Sequence, residues 1–114
     1  MDSSELAELD AAVARALGEE LRLIDGKWMA KGNRVVRWYY IAKYSTDWSQ
    51  GGPIIERERI MLMPFADGSY SADIGTVGHP MCGDPMPDGS GRQGYGHGPT
   101  PLIAAMRAFV ESKK

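Results

Sequence analysis

Between Gly75 and Pro101 nearly every second residue is Gly or Pro. No regular helix survives that density, because Pro removes a backbone donor and Gly carries the largest ordering cost, and a strand ladder would be interrupted as well. About a quarter of the chain is therefore excluded from the helical part of any fold. The rest must supply the core from what lies before Gly75 and after Pro101. The expectation is a long loop over 75–98. Loops of that length without regular structure are uncommon in compact domains and are either functional or disordered.

The two ends of the chain carry helical patterns. Ser3 or Ser4 can cap a first helix, with Glu5 and Glu8 near its positive end. Leu6, Leu9, Val13 and Leu17 fall on one face, widened by Ala12 and Ala16, and Gly18 is placed to close the helix in a left-handed conformation. At the other end Thr100 is a natural cap with Pro101 at the first helical position. Leu102, Ala105, Met106 and Phe109 share a face there, flanked by Ile103 and Val110.

Strand signals fill the interval. Leu21 to Ala30 reads as short extended segments around an Asp25-Gly26 turn, with an irregular loop competing. Lys31-Gly32-Asn33 makes a second turn, after which Val35 to Tyr44 is rich in β-branched and aromatic residues and reads as a central strand. Alternation there sets Val36, Trp38 and Tyr40 on one face and Val35, Arg37, Tyr39 and Ile41 on the other. Ile60 to Pro64 and Tyr70 to Ile74 flank the turn chemistry of Ala66-Asp67-Gly68-Ser69 and form an antiparallel hairpin. The whole is an α+β domain: N-terminal and C-terminal amphipathic helices on one three- to four-stranded antiparallel sheet.

The stretch from Tyr44 to Met63 connects two of these strands. Gly51 and Gly52 free the backbone for unusual φ values and Pro53 opens a short helix to about Arg57. Because recognition often sits on loops over a rigid scaffold, the candidate surface is the Asp47 to Glu58 connection together with the Gly/Pro-rich loop, with Tyr44, Asp47, Trp48, Gly51, Gly52, Glu56 and Arg57 as the candidate binding residues. Trp48 is either a partner anchor or a lid on the core. The Gly51-Gly52-Pro53 turn either presents N–H groups to an anion with Arg57 or Arg59, or simply redirects the chain.

Composition limits the other function classes. The 114 residues suit a single domain, 1–114, with a single core. A net charge of −2 from 13 basic and 15 acidic residues indicates neither a polyanion-coating surface nor an acidic tail. Lys27, Lys31, Arg34, Arg37 and Lys43, interleaved with Trp28, Trp38, Tyr39 and Tyr40, form the one basic concentration. Single-strand nucleic-acid binding uses such a mixture, and a strand alternating core and solvent positions produces the same list. His79, Cys82, Asp84 and His97 are the residues a metal would need, but with a single cysteine and two histidines in the chain no metal and no cofactor is expected. Asp47, Glu56, Glu58 and Asp67 could divide acid and base roles only if their environments differ, and no nucleophile elbow, phosphate loop or dinucleotide fingerprint accompanies them. The expectation leans away from an enzyme. Cys82 can form no bridge within the chain, the start at Met1-Asp2-Ser3 is acidic, and no apolar run approaches the ~20 residues of a membrane span. A cytoplasmic protein with no membrane contact is expected, its oligomeric state open.

The run Tyr44-Ser-Thr-Asp-Trp-Ser-Gln-Gly-Gly-Pro-Ile-Ile-Glu-Arg-Glu, the run Gly98-Pro-Thr-Pro-Leu-Ile-Ala-Ala-Met-Arg-Ala-Phe-Val, and Leu9-Asp10 with Val13-Ala14 in the leading helix resemble the NinX-like family of small phage and prophage proteins of unknown function. The resemblance implies an accessory gene carried near phage replication and recombination functions, acting in the host cytoplasm and not in the virion. It brings no catalytic residues. The segment from Gly75 to Gly98 departs from the family pattern. Taken together, the sequence predicts a non-enzymatic module that binds a host or phage protein. The alternatives are a binder of a small anionic or nucleotide-like ligand or of single-stranded nucleic acid, and, below both, an enzyme using the central carboxylates.

Overall fold

The computed structural model describes residues 2–31 and 38–114. Helix α1 spans Ser3–Ala16, and its cap is Asp2, not Ser3 or Ser4. The Asp2 carboxylate accepts from the Glu5 N–H at 2.8 Å, so the two serines become the first turn. Gly18, at φ +92°, ends the helix as expected. The buried face is deeper than the leucine stripe suggested: Asp10, Ala11, Val13 and Ala14 are buried, and Leu6, Leu9 and Leu17 are half-buried beside them.

Strands β1 (Glu20–Ile24) and β2 (Lys27–Lys31) pair as an antiparallel hairpin. Asp25 (φ 51°) and Gly26 (φ 77°) are both left-handed, the geometry a two-residue hairpin turn requires. Strand β3 is only Tyr39–Tyr40 and pairs with β2 at the border of a three-stranded sheet, β1-β2-β3. Among the described residues the expected central strand is therefore a short edge strand. It stops at Tyr40, and Tyr44 lies in a turn. Gly32, Asn33, Arg34, Val35, Val36 and Arg37 lie outside the described residues.

Helix α2 covers Trp48–Glu58, about a turn and a half more than the predicted Pro53 start, so Pro53 sits inside the helix. A second hairpin follows as predicted, β4 (Met61–Pro64) with β5 (Tyr70–Ile74). The segment 75–98 differs most from expectation, since it holds β6 (Thr76–Gly78), β7 (Pro85–Pro87) and β8 (Gly94–Gly98). β6 and β7 form a two-stranded ribbon, whereas β8 joins the second three-stranded sheet in the order β4-β5-β8. Helix α3 spans Pro101–Ser112, with Thr100 Oγ1 accepting from the Ile103 N–H at 3.2 Å, the predicted cap. The class is α+β with terminal helices as read, but the strands divide among separate sheets.

A strand of Gly-Tyr-Gly-His-Gly forms because α3 needs its glycines. Alternate residues share a face, so Gly94, Gly96 and Gly98 all turn toward α3 while Tyr95 and His97 turn away. A Cβ on Gly94 or Gly96 would collide with the carbonyl oxygens of Ala108 and Ala104, and one on Gly98 would lie 2.7 Å from Ile103 Cγ2. Ala104 and Ala108 are one helical turn apart, so a smooth alanine ridge lies directly in the glycine face. The close approach lets Leu102, Ile103, Ala105, Met106 and Phe109 of α3 all become buried. Val13 of α1, Ile54 of α2, Ile60, and Ala72 and Ile74 of β5 complete that core. Full burial of each Ile, Met or Phe contributes about 1.5–3 kcal/mol.

Candidate functional site

The connection ahead of α2 is held from below by Asp10. Its Oδ1 accepts from the backbone N–H of Ser45 at 2.8 Å and from the Ser45 hydroxyl at 2.6 Å, and Ser45 is 1% exposed. Burial pushes the Asp10 pKa up despite these two donors. Beside it, Tyr44 donates toward Glu19 Oε2 at 3.4 Å, and its hydroxyl is pushed up to about 12, chiefly by burial and then by the Glu19 charge. Tyr39 also donates to Glu19, and that bond is the main reason its own pKa is raised.

On this base the predicted residues separate by role. Asp47 is the α2 cap, accepting from the Ser49 N–H at 2.9 Å and the Ser49 hydroxyl at 2.7 Å, which holds its carboxyl below the usual range. Gly51 and Gly52 have no left-handed φ. Gly51 is needed instead because a Cβ there would strike the Tyr44 carbonyl and stand 3.0 Å from Leu102 Cδ2, so contact with α3 replaces the backbone freedom expected of it. With Gly51, Gly52 and Pro53 inside a helix, no open turn presents N–H groups to an anion. Trp48 is 55% exposed at the helix start, beside a shallow cleft of about 190 Å³ bordered by Ser45, Thr46, Thr100, Leu102 and Ile103. The fold thus gathers Tyr44, Asp47, Trp48 and Gly51 at one end of α2. Glu56 and Arg57 are exposed at its other end.

The carboxylates do not converge. Asp67 accepts from the Ser69 N–H and hydroxyl in the β4–β5 turn. Glu58, 7% exposed, binds Arg92 Nη1 at 2.6 Å and Arg57 Nε at 3.1 Å, tying α2 to the approach to β8. Of the metal candidates His97 stands apart, its Nε2 3.0 Å from Ser69 Oγ, whereas His79, Cys82 and Asp84 share the β6–β7 turn, where the His79 N–H donates to the Asp84 carbonyl at 2.9 Å and Cys82 Sγ donates to the Asp84 carboxylate at 3.5 Å. No group of three His, Cys, Asp or Glu among the described residues could hold a metal ion.

Sequence reading missed Asp10, Glu19, Ser45 and Arg92, whose partners are distant along the chain. One local signal was available. Asp47-x-Ser49, Asp67-x-Ser69 and Asp88-x-Ser90 share a spacing, and in each the aspartate accepts from the serine N–H and hydroxyl two residues on. All three carboxyls are thereby held below their ordinary values.

The basic and aromatic residues collect on the first sheet. Arg22 and Lys31 stand over the Trp38 ring at 4.8 and 5.8 Å, and Lys27 over Tyr40 at 5.6 Å. Arg22, Met29 and Tyr40 fall in register across the three strands, so these residues share a row.

Three helices and antiparallel sheets among the described residues define the fold class as α+β, and no helix among them is long and apolar enough to cross a membrane. The chain belongs to the bacteriophage P22 NinX family, whose model matches residues 2–113. Comparison with curated proteins gave no match.

Proposed function

We propose that this phage protein is a non-enzymatic accessory module that binds a host or phage protein in the host cytoplasm, with Trp48 at the centre of the contact. Exposure of Trp48 carries the reading: more than half of the largest side chain in the connection is left in water at a helix start that Asp47, Ser45 and Gly51 hold rigidly. Tryptophan is enriched among residues that dominate binding energy, and a rigid anchor loses little entropy on docking. The cleft beside it, floored by Leu102 and Ile103, offers a partner side chain a complementary seat. Asp47 and Thr46 supply polar groups beside it, whereas Glu56 and Arg57, at the far end of α2, would meet only a partner that runs along the helix.

The test is affinity capture from phage-infected lysate with wild type and Trp48→Ala, each checked for fold by circular dichroism. A partner held by wild type and by Tyr95→Ala, which changes another exposed ring, but released by Trp48→Ala supports the reading. Retention of every partner by a folded Trp48→Ala sinks it, and unfolding of that variant sinks it in favour of a lid on the core.

A further inference from the structure

A second concavity lies between α1 and the β1–β2 hairpin, sharing no lining residue with the Trp48 cleft, with a volume of about 750 Å³, within the range of small-molecule sites. Its lining combines three kinds of group. Trp28 and Tyr40 provide rings, Lys27 and Lys43 provide cations, and Glu8 and Asp10 provide carboxylates.

Each kind is left with unused capacity. Trp28 is fixed by its own N–H, which donates to Glu8 Oε1 at 3.0 Å, while Tyr40 is 68% exposed. Neither Lys27 nor Lys43 has a carboxylate within ion-pair distance among the described residues, in contrast to Lys31 with Glu20 and Lys114 with Glu111. Lys27 rests over Tyr40 instead, a contact worth about 0.5–1 kcal/mol at an exposed site and readily exchanged for an anion. Glu8 and Asp10 each use one oxygen, for Trp28 and for Ser45, and the other oxygen of each accepts no hydrogen bond from a described residue.

A ring to stack on, ammonium groups outside any ion pair among the described residues, and carboxylate oxygens able to accept N–H donors match the three parts of one ligand class. We propose that this cleft binds a nucleoside phosphate, either free or as a unit of a single strand. The base stacks on Trp28, its amino edge donates to Glu8 or Asp10, and its phosphate meets Lys27 and Lys43 where they line the cleft. No residue of the Trp48 surface takes part, so either proposal can fail alone.

Isothermal titration would compare 5′-nucleoside monophosphates, six-nucleotide single-stranded DNA and inorganic phosphate, with the indole N–H resonances followed by NMR. Trp28→Phe assigns the Trp28 resonance. The expected result is binding below millimolar Kd that shifts the Trp28 resonance, weakens at least tenfold in Lys27→Ala/Lys43→Ala, and persists in Trp48→Ala. Monophosphates binding as tightly as the strand identifies a free nucleotide; a strand at least tenfold tighter identifies nucleic acid. The proposal is overturned if no nucleotide binds, if inorganic phosphate binds equally well, or if the double lysine variant, folded by circular dichroism, binds as wild type does.

Discussion

The β1-β2-β3 and β4-β5-β8 sheets are both antiparallel and three-stranded, and each meets a terminal helix, but the contacts are of opposite kinds. Against α3, the second sheet presents mostly bare backbone: glycines receive an alanine ridge, and Ala72, Ile74, Gly96 and Gly98 are buried. Against α1, the first sheet presents long side chains, with Trp28 bonded to Glu8 and Arg15 standing 6.0 Å from the Trp28 ring. Ala30 alone is buried among its described strand residues. Backbone-to-backbone packing leaves no atom free to yield, whereas ring and cation contacts rearrange at small cost. One sheet is thus a fixed scaffold, and the other holds its polar groups where a ligand can reach them.

The sharpest way to break this contrast is Gly96→Val. Overpacking ordinarily costs 1–3 kcal/mol, but here the new atoms meet the Ala104 carbonyl and the Ala108 N–H. A loss of more than about 3 kcal/mol in urea unfolding, or no folded protein, is expected; a folded variant within about 1 kcal/mol of wild type would show that α3 can retreat from the sheet. Next, Arg92→Met removes the stronger partner of buried Glu58. Since Arg92 is itself partly exposed, about 1–2 kcal/mol is expected, below the 3–5 kcal/mol of a fully buried pair. Double-mutant analysis with Glu58→Gln should recover most of that loss.

Asp10 joins the two halves, and its signature is a pH dependence. Burial raises its pKa in the folded state above the ordinary 3.8, so the native protein holds the proton more tightly than the unfolded chain. Its contribution is most favourable below pH 3.8 and declines as pH rises from there through the raised folded value. Asp10→Asn keeps an acceptor for Ser45 and should remove this decline, seen as a flatter stability curve over that window. Asp47, Asp67 and Asp88 act the other way, favouring the fold above 3.8 and losing effect as pH falls through their lowered values. The difference between wild type and Asp10→Asn isolates the one from the three. The smallest effect belongs to the first sheet: Lys27→Ala should change stability by less than about 1 kcal/mol, and a larger loss would mean that its side-chain contacts are as rigid as the glycine face.

How much of this was readable in the sequence follows from the range of the forces involved. Thr100-Pro101, Asp25-Gly26 and Gly18 act within a few residues, and each was read in its observed role. Strand β8 was lost because glycine and proline were weighed only as breakers. Its signal was two-part, the alternation of Gly94, Gly96 and Gly98 and the one-turn spacing of Ala104 and Ala108, and neither half means anything alone. The early start of α2 was missed for a related reason: Gly51, Gly52 and Pro53 are poor helix formers, and the helix persists through the Asp47 cap and contacts of Gly51 with Tyr44 and Leu102. At the candidate site, residue types were legible but exposure was not. Trp48 beside Asp47 reads identically whether the ring faces solvent or core, and the Asp10–Ser45 bond spans 35 positions.

Strand β8 borders its sheet, and a bordering strand is a template on which another chain can zip. Arg107 reaches from α3 to the His97 carbonyl and sets a guanidinium against that border. At the opposite border β4 ends in Pro64, which has no N–H to offer. A newly made copy meeting another edge to edge encounters charge on one side and a broken ladder on the other. The same helix that fills the glycine face therefore discourages the sheet from growing into fibrils when the protein accumulates.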